Sequence, residues 1–208
     1  MNKIFTKAAL AASISLLAFN ATAVENVSFN GTVTVQNAFT LTNDSDLNFG
    51  TLRANADTSA AAVSTIELSA NPAAASVITN ATGATIAELV KGAPATFSVS
   101  GVSAFAFLTF DITGISGNIT SVSPTPTGAA FFKVSDPSIR VLTGGNANTD
   151  LDLTDLTVEA GQLQVDGTGA ATFSLGATLT TSSNTADTTT SDYIDGDYSG
   201  TFALTLEY

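Results

Sequence analysis

The sequence predicts an all-β protein, an immunoglobulin-like antiparallel β-sandwich. Three observations carry that expectation. Apolar and polar residues alternate over short stretches, as in Phe97 and Val99 against Thr96 and Ser98. Turn-forming clusters separate those stretches, among them "TGGNANTD" near Gly144, "VDGTGA" near Gly167 and "SPTPTG" around Pro124 and Pro126. Thr, Val, Phe, Ser and Gly dominate the composition, which suits pleated, half-buried surfaces better than helices.

Taken in order, residues 1–23 read as a secretory signal peptide. Lys3 and Lys7 precede an apolar run, and Ala21-Thr22-Ala23 offers small residues for cleavage. The run from Ala8 to Phe19 is shorter than the roughly 20 residues that span a bilayer as a helix. No later segment is long and apolar enough to be a transmembrane helix, so the expected location is periplasm, cell surface or medium. Without cysteine no disulfide contributes, and the core alone has to hold the exported fold. Lys3 and Lys7 would leave with the signal, so four cationic side chains would face 18 carboxylates, a formal charge of −14. Such a chain repels nucleic acid and anionic lipid.

Residues 24–36 are an N-terminal extension or first strand, and residues 37–208 a single sandwich domain. Within "NVSFNGTVTVQ", Val27, Phe29, Gly31, Val33 and Val35 form one apolar stripe with a glycine at its centre. A glycine inside a strand forgoes side-chain packing and often marks close approach of another chain. A bulge or bend in an ordinary first strand is the simpler explanation. Further strands are expected at 39–42, 47–52, 64–69, 95–100, 105–113, 130–134, 138–142, 150–157, 162–166, 171–175 and 198–208. Only "ATIAELVKG", residues 84–92, reads as helical. In the closing "GDYSGTFALTLEY" the inward phase is Tyr198, Gly200, Phe202, Leu204, Leu206 and Tyr208.

Chemistry is sparse. Histidine and cysteine are missing, which removes the usual activated nucleophiles and His- or Cys-built zinc sites. The carboxylates fall in turns and on polar strand phases, so no enzyme, no catalytic residue and no cofactor is expected. Calcium is the more plausible small ligand, with Asp44, Asp46 and Asn48 in "NDSDLN" and Asp192, Asp195 and Asp197 in "DYIDGD" as weak candidates. Solvated turn residues are the simpler reading of both, and "NTDLDLTD" (148–155) reads as the wet face of a strand.

"SDLNFGTL" (45–52), "PATFSVSGV" (94–102), "GAATFSLGATL" (169–179) and the closing "GDYSGTFALTLEY" together resemble the bacterial secreted family called domain of unknown function 4402. The two ends also resemble chaperone–usher pilus subunits: "SFNGTVTVQNAFTL" is similar to the pilin opening pattern, and "YSGTFALTLEY" to its closing strand. That resemblance implies a pilin-like sandwich lacking its last strand, completed by a strand exchanged between subunits. Gly31 would then sit at a crowded point of the groove, with Val27, Phe29, Val33 and Val35 filling pockets and Phe202, Leu204, Leu206 and Tyr208 in the receiving contact. The implied protein is a non-enzymatic fibre or matrix subunit, a homo-oligomer or filament served by a periplasmic chaperone and an outer-membrane usher. The chain departs from the commonest pilins in lacking a disulfide and in ending on Tyr208 itself. Two other readings stay open. One is a self-contained secreted sandwich binding a carbohydrate or protein, with Tyr193 as its candidate loop aromatic. The other is a small outer-membrane β-barrel.

Overall fold

The computed structural model describes residues 38–208 together with Ser28 and residues 30–32. Strand candidate 27–35, with Val27, Phe29, Val33 and Val35, lies outside the described residues apart from Ser28 and residues 30–32, which are exposed and outside any strand. Residues 38–208 are nearly all β, in antiparallel sheets packed face to face as a β-sandwich.

The spine is the strand β11 (Ala171–Thr181). Its odd-numbered residues Phe173, Leu175, Ala177 and Leu179 are all buried. Along one edge it pairs throughout with β9 (Phe132–Thr143). Along the other it pairs first with β6 (Ala95–Ser100) and then with β3 (Thr65–Leu68). The partner changes at Gly176, where a side-chain carbon would fall 2.1 Å from Leu68 O and 2.4 Å from Ala70 N. Only glycine fits two backbones that close.

The large sheet runs β1-β6-β11-β9-β8-β12, with β1 at Thr40–Ser45, β8 at Gly117–Ser121 and β12 at Tyr198–Ser199. Against the first half of β11 lies a three-stranded sheet, β10 (Leu163–Gln164), β7 (Phe107–Asp111) and β13 (Thr205–Glu207). Phe173 joins them: it stacks on Phe97 at 5.2 Å and meets Phe110 edge-on at 5.1 Å. Leu108, Val141, Leu163 and Val165 complete this first core, each fully buried. The second half of β11 builds another core with Ile66, Leu68, Phe132 and Val134, covered by Phe49 and Ile86 of the pair β2 (Thr51–Asn55) and β5 (Thr85–Val90) or its approaches. β4 (Val77–Thr79) extends β3 at its outer edge.

Several expectations are corrected here. The stretch 84–92 is strand, not helix. Ile86, Leu89 and Val90 have helical spacing, but pairing with β2 overrides it, and only Ile86 is buried. The two strands expected at 130–134 and 138–142 are one strand with a bulge around Asp136, whose φ is +49°. That bulge flips the inward phase from Phe132 and Val134 to Ile139 and Val141. Residues 150–157 form turns and no strand, and the closing strand is broken between β12 and β13. β4, β5 and β8 are strands that the alternating pattern does not announce.

Gly176→Val tests the spine directly. It is expected to destabilise the domain by about 1–3 kcal/mol or more, because the clash is with backbone and cannot be relieved by a rotamer change. Urea unfolding of the two proteins measures it.

Candidate functional site: an apolar groove between the first and last strands

The break in the closing strand opens a concavity on the described domain. From β12 the chain leaves the large sheet, crosses as Gly200–Leu204, and joins the smaller sheet as β13. The inward alternation survives the break: Phe202 and Leu204 are half-buried and Leu206 is buried, while Thr201, Ala203 and Thr205 face solvent. The crossing segment is tied by the Ala203 N–H donating to Gly114 O at 3.0 Å.

Between this segment and β1 lies a groove of about 720 Å³. Leu41 and Leu47 line the wall formed by β1 and the loop after it, and Phe202 and Leu204 line the other. Phe97, Ile119 and Leu175 reach the floor of the groove from three different strands, while Asn43, Asp46, Ser199 and Thr201 add polar groups to its lining. Each sheet also ends in an edge strand at these ends of the chain. β1 pairs only with β6, and β13 only with β7, among the described residues. Their outer main-chain N–H and C=O groups are the kind of edge to which another strand adds.

The proposed contact residues fall on this picture unevenly. Phe202 and Leu204 line the groove; Leu206 is buried at 7% exposure in the first core, and Tyr208 is 53% exposed at the chain end. Gly31 is exposed, and among the described residues no atom lies within 4 Å of where its side-chain carbon would be.

Tyr193, expected as an exposed loop aromatic, is instead half-buried. Its ring stacks on Phe132 at 4.3 Å and its hydroxyl donates to Phe131 O at 2.8 Å. Burial pushes its phenol well above the ordinary value. Tyr198 joins the same cluster, edge-on to Phe132 at 5.5 Å.

The acidic residues serve as local staples. Asp46 accepts from Asn43 Nδ2 at 2.6 Å, Asp44 accepts from the Ser98 hydroxyl, and Asn48 Oδ1 accepts from Gly50 N–H at 2.7 Å. Asp192 accepts from Ala56 N–H at 2.8 Å and Asn55 Nδ2 at 3.0 Å, whereas Asp195 and Asp197 are exposed in a turn. Among the described residues no three His, Cys, Asp or Glu side chains gather to hold a metal ion. A recurring feature the sequence reading missed is Asp-x-Ser/Thr. Asp57, Asp111, Asp152, Asp155 and Asp166 each accept both the N–H and the hydroxyl of the residue two positions on. The spacing was readable, since these are the side chains that hydrogen-bond their own backbone in turns.

These bonds hold all five carboxyl groups below the usual 3.8: first the Ser59 N–H for Asp57, and first the Thr hydroxyl for the other four. A folded value below the unfolded one adds stability that is present above 3.8 and is lost as pH falls through the folded values. Thermal unfolding is therefore expected to be flat in this respect from neutral pH to about pH 5 and to weaken steadily below about pH 4. Thr113→Val, Thr154→Val, Thr157→Val and Thr168→Val combined should lower stability near neutrality and flatten that acid limb.

Residues 39–208 match the family model described as Domain of unknown function (DUF4402). No curated protein and no solved structure matches the chain.

Proposed function

The chain belongs to the family described as Domain of unknown function (DUF4402), and we propose that this protein is an exported, non-enzymatic subunit of a surface fibre or extracellular matrix, assembled by strand addition. The observation that carries the reading is the groove: a partly apolar trough lined by the outer strands of the large sheet, β1 and β12, among the described residues. The occupant it fits is the alternating segment 27–35 of a second copy, with Val27, Phe29, Val33 and Val35 turned to the floor. A glycine at the centre of that alternating stripe is what close approach of a neighbouring chain calls for.

Magnitudes support permanence. Burying four side chains of Val or Phe size contributes about 6–12 kcal/mol as an upper bound, at roughly 1.5–3 each. Whole domains are stable by only about 5–15 kcal/mol. A strand delivered by a neighbour would thus rival the stability of the domain that receives it. Head-to-tail contacts of this kind do not close, so they generate filaments. An apolar groove also has to be shielded until its strand arrives, which is the role of the periplasmic chaperone and usher in the reading. We likewise propose that the sandwich is immunoglobulin-like and pilin-like in its strand arrangement.

The second reading is a self-contained sandwich that takes a carbohydrate or protein. The groove volume lies within the range of about 300–1,000 Å³ common for small-molecule sites; Tyr193, its candidate loop aromatic, is half-buried against Phe132.

The test compares residues 24–208 with the same protein lacking 24–36, by size distribution and melting temperature. The expected result is heat-resistant multimers from the first and monomers from the second, with Gly31→Val reducing multimer yield. Monomers from both would turn the interpretation to ligand binding.

A further inference from the structure

The donated segment would end only a few residues before the domain begins. Four residues, 36–39, separate Val35 from Thr40, where β1 starts. From Val35 to Thr40 is five steps along the chain, which at about 3.3–3.6 Å each reach at most ~18 Å. A copy that receives this segment must therefore stand against the end of the domain where β1 begins. That end carries the Gly101–Ala106 loop: Thr40 pairs with Ser100, and a side-chain carbon at Gly101 would lie 3.6 Å from Ala38 O.

On that loop Phe105 is 61% exposed and has a φ of +60°. It occupies the third position of the turn Ser103–Ala106, closed by the Ala106 N–H donating to Ser103 O at 3.2 Å. Positive φ there ordinarily selects glycine, and a bulky side chain in that conformation is an outlier. Three contacts hold it. The Phe105 N–H donates to Asp166 O at 3.1 Å, its carbonyl accepts from Gln164 Nε2 at 3.3 Å, and its ring lies over Gly167, whose added side-chain carbon would sit 3.1 Å from Phe105 Cζ. The Val102 N–H, bonded to Gly169 O at 3.2 Å, ties the same two loops together. A strained residue fixed from three sides, yet with its ring mostly in water, is held for something outside the domain.

We infer that Phe105 and its turn form a second contact between successive copies, resting on the strand-addition reading above. The strand supplies the link, and Phe105 fixes the angle at which the next copy docks.

Phe105→Gly tests this, because glycine relieves the backbone strain and removes the ring. In the 24–208 protein, the unfolding temperature of the domain is expected to stay level or rise. Multimers should still form, but with a loss of persistence length in electron micrographs, curved where the unaltered filaments run straight. Phe105→Tyr, which keeps an aromatic ring, should restore stiffness. Phe105→Gly filaments as stiff as the unaltered ones would overturn the inference and leave strand addition standing. If the unaltered protein forms no multimers, strand addition falls and this contact with it.

Discussion

The fold depends on one continuous ladder, β11 against β9, that runs through both apolar cores. Because the odd-numbered side chains of β11 all point inward, Phe173 and Leu175 can serve one core while Ala177 and Leu179 serve the next. Gly176 lets the neighbouring strand change from β6 to β3 at the junction, and the bulge around Asp136 adjusts the phase of β9 opposite. Without that pair of accommodations, one long strand could not be buried on the same face along its whole length.

This spine leaves the work of closing the sandwich to the chain ends. Among the described residues β1 is an outer strand of the large sheet and β13 one of the small sheet, and the segment between β12 and β13 bridges the sheets without pairing as a strand. The groove follows from that arrangement: apolar floor residues are contributed by strands that belong to the core, while the walls are peripheral. Apolar surface exposed in such a trough is favourable to cover and costly to leave wet. The strongly acidic composition makes copies of the chain repel one another at long range.

Strict alternation was legible: β3 and β6 fall where the pattern placed them, and Phe202, Leu204 and Leu206 keep their expected inward phase. Where the sequence misled, a tertiary partner decided. Residues 84–92 carry a helical spacing that the ladder with β2 overrules. β8 offers only Ile119 as an apolar anchor, and its pairing with β9 could not be read locally. The alternating acids and leucines of 150–155 imitate a strand, but each of Asp152 and Asp155 captures a threonine two residues on and folds the chain into turns. Of the groove, the closing strand's residues were readable, whereas the break that forms its wall and the floor residues Phe97, Ile119 and Leu175 required three dimensions.

The most direct measurement of the central claim exploits the absence of natural cysteine. Val33→Cys would be combined in turn with Leu41→Cys, Leu47→Cys and Leu204→Cys, oxidised, and resolved without reductant. The account predicts a ladder of covalent multimers from at least one pair, formed between copies and collapsed by reduction. Bridges formed only within single chains, or from none of the pairs, would contradict it.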